Sequence, residues 1–306
     1  MSATKIVRIR IKSVVSTVFI VLVLGFLAIL VVRLLTGRSL GLRSMVSSTL
    51  QSVSSLSRAV TDSQRVRSYS HSEFTNIIFL HHSVGANLIK QGDVRGRLTK
   101  AGYTFWDHDY NREGLTRPDG SRAGYSYNVP DDNTDPDGLA RIFAQPVYAL
   151  PLNTFSGLLQ HEVIVFKSCF PTSDITSNEQ LERYKAYYLN MRAVMDQHRD
   201  RLFIVVTPPP LNPAETDPGA AARARAFANW LKSDEFLSGH PNVFTFDFFN
   251  YLAENNPASP DYSMLRTDYR QGTDSHPNQL ANEKVAPLLV DFVVGAVERY
   301  RETYKK

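Results

Sequence analysis

From residue 76 onward the chain is punctuated by short, largely apolar runs: Ile77–Leu80, Tyr103–Trp106, Val163–Phe166, Leu202–Val206 and Val243–Phe246. They lack the strict apolar–polar alternation of a strand with one wet face, so each reads as a strand buried on both sides. Helical patterns fall between them, at about Val84–Ala101, Asn178–His198, Gly219–Leu231 and Asn278–Tyr300. The second has Thr176 or Ser177 as cap, and the last is expected to kink or restart at Pro287. Strands alternating with helices predict an α/β fold, a three-layer sandwich around about five parallel strands. Each run stops abruptly at polar residues. In parallel sheets the carboxyl edge is where ligands bind. His81, His82 and Ser83, then Asp107, His108 and Asp109, then Lys167 and Ser168 are therefore expected to converge there.

The amino end reads differently. Val14–Val32 carries no charge and is rich in Val, Leu and Ile, long enough for a transmembrane helix. Lys5, Arg8, Arg10 and Lys12 precede it and Arg33, Arg38 and Arg43 follow. With the positive-inside rule, this slight bias places the amino end in the cytoplasm and the rest outside. Val31-Val32-Arg33-Leu34-Leu35 lacks a small-x-small cleavage site, so the segment is expected to persist as a signal anchor in the lipid bilayer. Residues 1–35 form the tail and anchor, and 36–74 a Ser- and Arg-rich stalk. Leu42, Val46, Leu50, Val53, Leu56 and Val60 recur at roughly helical spacing, and the composition fits a solvated linker equally well. Residues 75–306 form the α/β domain, with a long, Gly-, Pro- and Asp-rich loop insertion at about 112–160, read as an ordered surface excursion.

Charge and cysteine content narrow the function. The net charge of +4 sits largely in the first 43 residues, and no basic stripe interleaves with aromatics, so nucleic acid is not an expected partner. A single cysteine, Cys169, excludes an intrachain disulfide and a Cys-based zinc site. No cofactor motif is present. The sequence does not speak to oligomeric state.

In Asn76-Ile77-Ile78-Phe79-Leu80-His81-His82-Ser83-Val84-Gly85 a strand turns straight into a helix at a serine. That geometry exposes the hydroxyl at the sheet edge beside the free N–H groups and positive end of the helix. A base and its orienting carboxylate are found in Thr273-Asp274-Ser275-His276-Pro277-Asn278. Two residues apart in an extended turn, Asp274 can hold one ring nitrogen of His276 while the other faces Ser83.

With these blocks the chain resembles the SGNH (GDSL-type) hydrolases, over about Asn76–Arg301. The resemblance implies a flavodoxin-like sheet and a serine esterase with Ser83 as nucleophile, His276 as base and Asp274 as orienting carboxylate. It also implies an oxyanion hole from the Ser83 N–H, a glycine after the second strand (Gly114) and a side-chain donor after the third. Family members place asparagine at that third position; here Lys167-Ser168-Cys169-Phe170-Pro171-Thr172 has none, leaving Ser168 or Thr172 as hydroxyl donor or Lys167 as a charge. The first block is His-His-Ser-Val-Gly rather than Gly-Asp-Ser, and the late pair is Asp-x-His rather than Asp-x-x-His. His82 and Lys167 are candidate substrate contacts. From the family's habits and the expected location, the substrate is an ester, an O-acetyl group on a carbohydrate or cell-envelope glycan.

Other readings stand beside this one. The same triad serves an O-acyltransferase when a sugar hydroxyl replaces water. The missing asparagine fits a non-catalytic glycan-binding or scaffold module. A metal-dependent hydrolase is the rival: His81, His82, Asp107, His108, Asp109, Asp274 and His276 are types suited to zinc or manganese that can gather at one edge, without a metal-site spacing. Asn133, Asp135, Asp137 and Gly138 match the start of a calcium loop whose twelfth position, Ala144, lacks the required carboxylate. Pro208-Pro209-Pro210 shapes a pocket wall or simply stops a strand, and Trp106, Tyr110, Tyr125 and Tyr127 stack on sugar or fill the core.

Overall fold

The computed structural model describes residues 42–68, 73–130 and 135–304, with backbone alone at 42–53, and the isolated Gly25. Apart from Gly25, the anchor segment Val14–Val32 lies outside the described residues. Among the described residues, no helix is long and apolar enough to cross a membrane.

The core is one six-stranded sheet. Its strands are β1 (Asn76–Leu80), β2 (Thr104–His108), β3 (Leu115–Thr116), β4 (Val163–Lys167), β5 (Leu202–Val206) and β6 (Val243–Phe246). The order is β3-β2-β1-β4-β5-β6. All neighbours are parallel except the short β3, which runs antiparallel to β2. The five parallel strands follow the flavodoxin-like order, with β1 at the switch point where the chain reverses its progress across the sheet. The antiparallel edge strand was not anticipated. It has only two residues, too few to leave a periodic signal.

Strand residues face two cores. Ile77, Phe79, Val163, Val165, Leu202 and Ile204 pack with α2 (Ser83–Gln91), α3 (Val94–Lys100) and α10 (Gln279–Tyr304). Ile78, Leu80, Ile164, Phe166, Phe203 and Val205 pack with α4 (Pro136–Phe143), α5 (Thr154–Leu158), α6 (Asn178–Met195) and α7 (Pro218–Leu231). Burial on both faces is why these strands read as continuous apolar runs.

Three boundaries differ from expectation. The first helix is two: α2 ends at Gly92, and Asp93, in the left-handed region at φ 53°, caps α3 by accepting the Gly96 N–H. Pro287 lies within the single helix α10 without ending it. The region read as a surface excursion is instead a layer of the fold. It carries α4 and α5 and buries Tyr127, Val129, Leu139, Ile142, Phe143 and Phe155. Short helices bounded by Pro, Asp and Gly leave too little periodicity to be recognised.

Polar contacts fasten that layer. The Tyr127 N–H donates to Nε2 of His108 (2.9 Å), whose Nδ1–H in turn donates to Asp109 O (2.6 Å). The Tyr127 hydroxyl meets Nε2 of His161 (3.1 Å), and the other ring nitrogen of His161 meets Asn76 Oδ1 (3.2 Å). Asn76 then donates to Val66 O near the end of α1 (Leu42–Ser68). Asp62 of α1 receives a bidentate guanidinium from Arg117. Residues from Arg58 onward belong to the compact body, so the last turns of the stalk helix are part of the domain. The backbone of Leu42–Ser68 is helical, the ordered one of the two readings for that stretch.

Burial holds His108 down at about 4 and His161 at about 3, from an ordinary 6.5. Both rings are neutral in the folded chain at pH values where an unfolded chain would protonate them. The unfolded state therefore binds more protons below pH 6.5. This contribution to stability is complete above 6.5 and is lost as pH falls towards 4 and 3, by about 3 kcal/mol for His108 and about 5 kcal/mol for His161. Thermal unfolding followed from pH 8 to pH 4 should show the midpoint falling steadily below pH 6.5. A midpoint constant down to pH 5 would contradict neutral burial.

Candidate active site

The end of β1 and the start of α10 meet at one hydrogen bond. Ser83 Oγ lies 2.8 Å from His276 Nε2, and His276 Nδ1 lies 2.7 Å from Asp274 Oδ1. Since the carboxylate accepts, Nδ1 carries the proton and Nε2 receives the serine O–H. Asp274 also accepts the backbone N–H of His276 (3.1 Å). These bonds, the one from the His276 ring first, hold its carboxyl below the usual range. Phe170 sets its ring edge-on to His276 at 5.0 Å and 85°. Asp274 is 61% exposed and His276 32%, so the triad stands open at the surface.

Ser83 is the first residue of α2. Its N–H and the following amides have no acceptor within the helix, as at any helix start. His82, in extended conformation at φ −126°, caps the helix through its backbone, and the Ala86 N–H donates to His82 O (2.9 Å).

The Asp274–His276 loop is fixed from behind by residues that motif reasoning missed. Asn212 donates to Gly272 O (3.1 Å) and Asp274 O (3.2 Å). Its own N–H donates to Ser275 Oγ (2.9 Å), and that buried hydroxyl donates to Glu215. Asn278 ties the helix start to Asp268 O and Arg270 O and caps Ala281. Asn282 bonds Pro277 O and reaches Gln91 at the end of α2. Period-two alternation could have flagged Ser275, since the residue between Asp274 and His276 must face inward. Asn212 offered only its place after Pro208–Pro210 at a strand edge.

Five site residues read from the sequence are corrected. Gly114 belongs to a turn: its N–H donates to Tyr110 O (2.6 Å) and its carbonyl accepts from Asp109 (3.2 Å). That amide is already engaged and is no oxyanion donor. Ser168 is buried and bonds the Tyr188 hydroxyl (2.7 Å), on the core side of the sheet. Thr172 is buried as well. Lys167 is 2% exposed, its Nζ donating to Ser168 O (3.1 Å), so its ammonium cannot meet a substrate at the surface. His82 is buried against Tyr110, ring centroids 4.6 Å apart, and is likewise closed to substrate. Of the expected constellation, the structure brings together Ser83, His276 and Asp274.

His81 lies inside, between His82 O and Asp107. Burial lowers it to about 4. Among the described residues no group of three His, Cys, Asp or Glu side chains is arranged to hold a metal ion. Asp131–Thr134 of the calcium-like stretch lies outside the described residues, while Asp137 pairs with Arg141 of the same helix (3.1 Å). Surface concavities of about 360 and 470 Å³ lie elsewhere, around Tyr148 and Arg201 and around Arg97 and Asp291.

Compared with protein-family models, with curated proteins and with solved structures, the chain matches none.

Gly114 separates a turn from an oxyanion hole experimentally. At φ 67° a side chain is strained, and a Cβ there would lie 2.4 Å from Tyr125 O. Gly114→Ala should lower unfolding stability by at least about 1–2 kcal/mol. At full folding, measured in parallel by circular dichroism, the reactivity of Ser83 should match the parent. A stable Gly114→Ala with a tenfold or greater loss of reactivity would restore the oxyanion role.

Proposed function

We propose that the chain is a serine hydrolase acting on carboxylic esters. The observation that carries this reading is the continuous Ser83–His276–Asp274 hydrogen-bond line, 2.8 and 2.7 Å long, at the carboxyl edge of a parallel sheet. Ser83 Oγ attacks the ester carbonyl carbon while His276 Nε2 takes the hydroxyl proton. Asp274 keeps the imidazole in the required tautomer and favours the imidazolium that forms. The Ser83 N–H, at the positive end of α2, faces the negative oxygen of the tetrahedral intermediate. The intermediate collapses, the alkoxide leaves with the proton from His276, and an acyl-serine results. Water activated by the same histidine releases the acid.

The half-exposed triad suits a small acyl group on a large alcohol. An O-acetyl group on a carbohydrate or cell-envelope glycan fits, as does the extended resemblance of the Ser and Asp-x-His blocks to SGNH hydrolases with a flavodoxin-like three-layer fold. In this reading Val14–Val32 anchors the chain in a bilayer with the amino end cytoplasmic and the site outside. The loss of Gly114 and Ser168 as oxyanion donors favours a second reading, a non-catalytic glycan-binding module on the same fold.

A fluorophosphonate probe distinguishes the two. In an active enzyme Ser83 Oγ forms a bond to phosphorus, fluoride leaves and His276 receives the hydroxyl proton. Full-length protein should be labelled at Ser83, and Ser83→Ala should not. His276→Ala should lower turnover of 4-nitrophenyl acetate by roughly 10⁴–10⁶, and Asp274→Asn by up to about 10⁴. A folded wild type that neither reacts with the probe nor turns over acetyl esters would leave the binding module standing.

A further inference from the structure

The turn that presents Ser83 is held from beneath by a side chain outside the triad. His81 is buried on the same side of the sheet as Phe79, the two rings 5.2 Å apart. Its Nδ1 lies 2.9 Å from His82 O and its Nε2 3.1 Å from Asp107 Oδ2. Arg95 in turn grips Asp107, while another of its nitrogens donates to Phe105 O and Arg117 O. A carbonyl oxygen only accepts, so Nδ1 carries a proton. The Nε2–Oδ2 contact needs a second proton, sited on the ring or on the carboxyl. In both arrangements Nδ1–H points at the His82 carbonyl. The ring fits beneath the first turn of α2 because residue 85 is glycine; a Cβ there would lie 2.4 Å from His81 Cβ.

The carbonyl of His82 and the N–H of Ser83 belong to one peptide group. It is trans and planar, so the two point in opposite directions. His82 O receives two donors, Nδ1–H of His81 and N–H of Ala86. Whatever holds that oxygen inward turns the Ser83 N–H outward. We propose that His81 is a positioning residue of the oxyanion hole: it fixes the plane of the His82–Ser83 peptide so that the Ser83 N–H faces the oxygen that becomes negative. With Gly114 and Ser168 engaged elsewhere, this amide has no substitute from either of them, and its orientation sets the rate. The proposal rests on Ser83 being the nucleophile.

The test uses the full chain with His81→Asn and His81→Gln, assayed on 4-nitrophenyl acetate with circular dichroism to confirm folding. Asparagine places its amide nitrogen near the position of Nδ1 and keeps the donor to His82 O. Glutamine places its amide near Nε2 and keeps the Asp107 contact alone. His81→Asn should retain kcat within about tenfold of wild type. His81→Gln should lose about 10²–10³ in kcat, the loss expected for one oxyanion donor, with KM changed less than about threefold. Should His81→Gln fail to fold, His81→Leu, which lacks any donor, replaces it with the same expected loss. Wild-type kcat in the donor-less variant, or an equal loss in a folded His81→Asn, overturns the positioning role while leaving the serine reading intact. A wild type without turnover or probe labelling overturns both.

Discussion

The hydrogen bond between Ser83 and His276 joins residues 193 apart in the chain, and most of the architecture can be traced to making that bond possible. β1 must lie inside the sheet, paired on both sides, so that its end is fixed in three dimensions. α2 must start at once, which leaves the serine on the first turn rather than on a loop. α10 must then pack beside α2 with its own start at the same edge. The last requirement is met by close contact: Asn282 of α10 donates to Gln91, and Val285, Ala286 and Leu289 share a core with Val84 and Leu88. Neither helix could shift by a turn without separating His276 from Ser83.

The opposite face has a different problem, because its cover between β3 and β4 carries little regular structure. Apolar burial is non-directional and would tolerate sliding. Direction comes from polar groups with few alternatives. Tyr127 uses its N–H on His108 and its hydroxyl on His161, two rings whose burial keeps them neutral and in defined tautomers. Arg117 uses its guanidinium on buried Asp62, across 55 residues. Removing one partner of such a pair strands the other in low dielectric, at a cost of about 3–5 kcal/mol. These contacts specify one arrangement of the layer, and they place the last turns of the stalk helix within the domain.

How much of this was legible depended on the length scale of the signal. The parallel strands were, because burial on both faces writes uninterrupted apolar runs. Ser83, Asp274 and His276 were, because the first opens a helix directly after a strand and the others lie two apart just before the last helix. α4 and α5 were not, since one turn or two with Pro136, Gly138 and Gly157 resembles a loop. Pro287 misled in the other direction. It lies on a half-exposed flank of α10, and Glu283, the residue whose carbonyl it deprives of a partner, is exposed to water. Lys167 closes β4, Ser168 follows it and His82 caps α2, but sequence alone gives no sign of which way a side chain turns at a strand end. Here one goes to Tyr188, one to a neighbouring carbonyl and one beneath Tyr110.

Asp274 shows how an exposed carboxylate can orient a neighbouring histidine. With 61% of its side chain in solvent, its charge is screened and gives the imidazolium modest electrostatic support. Geometry supplies the rest. One oxygen, Oδ1, receives both the backbone N–H and the Nδ1–H of His276, so ring and main chain are locked together two residues away. The residue between them, Ser275, is fixed in turn by the Asn212 N–H on its oxygen and by its own bond to Glu215. Orientation thus comes from a buried serine and asparagine behind the loop rather than from a buried aspartate within it. The same division recurs at Ser83, half-buried on the first turn of α2, with the buried His81 ring bonded to the carbonyl just before it. On both sides of the Ser83–His276 bond, the more open groups are held in direction by closed ones behind them.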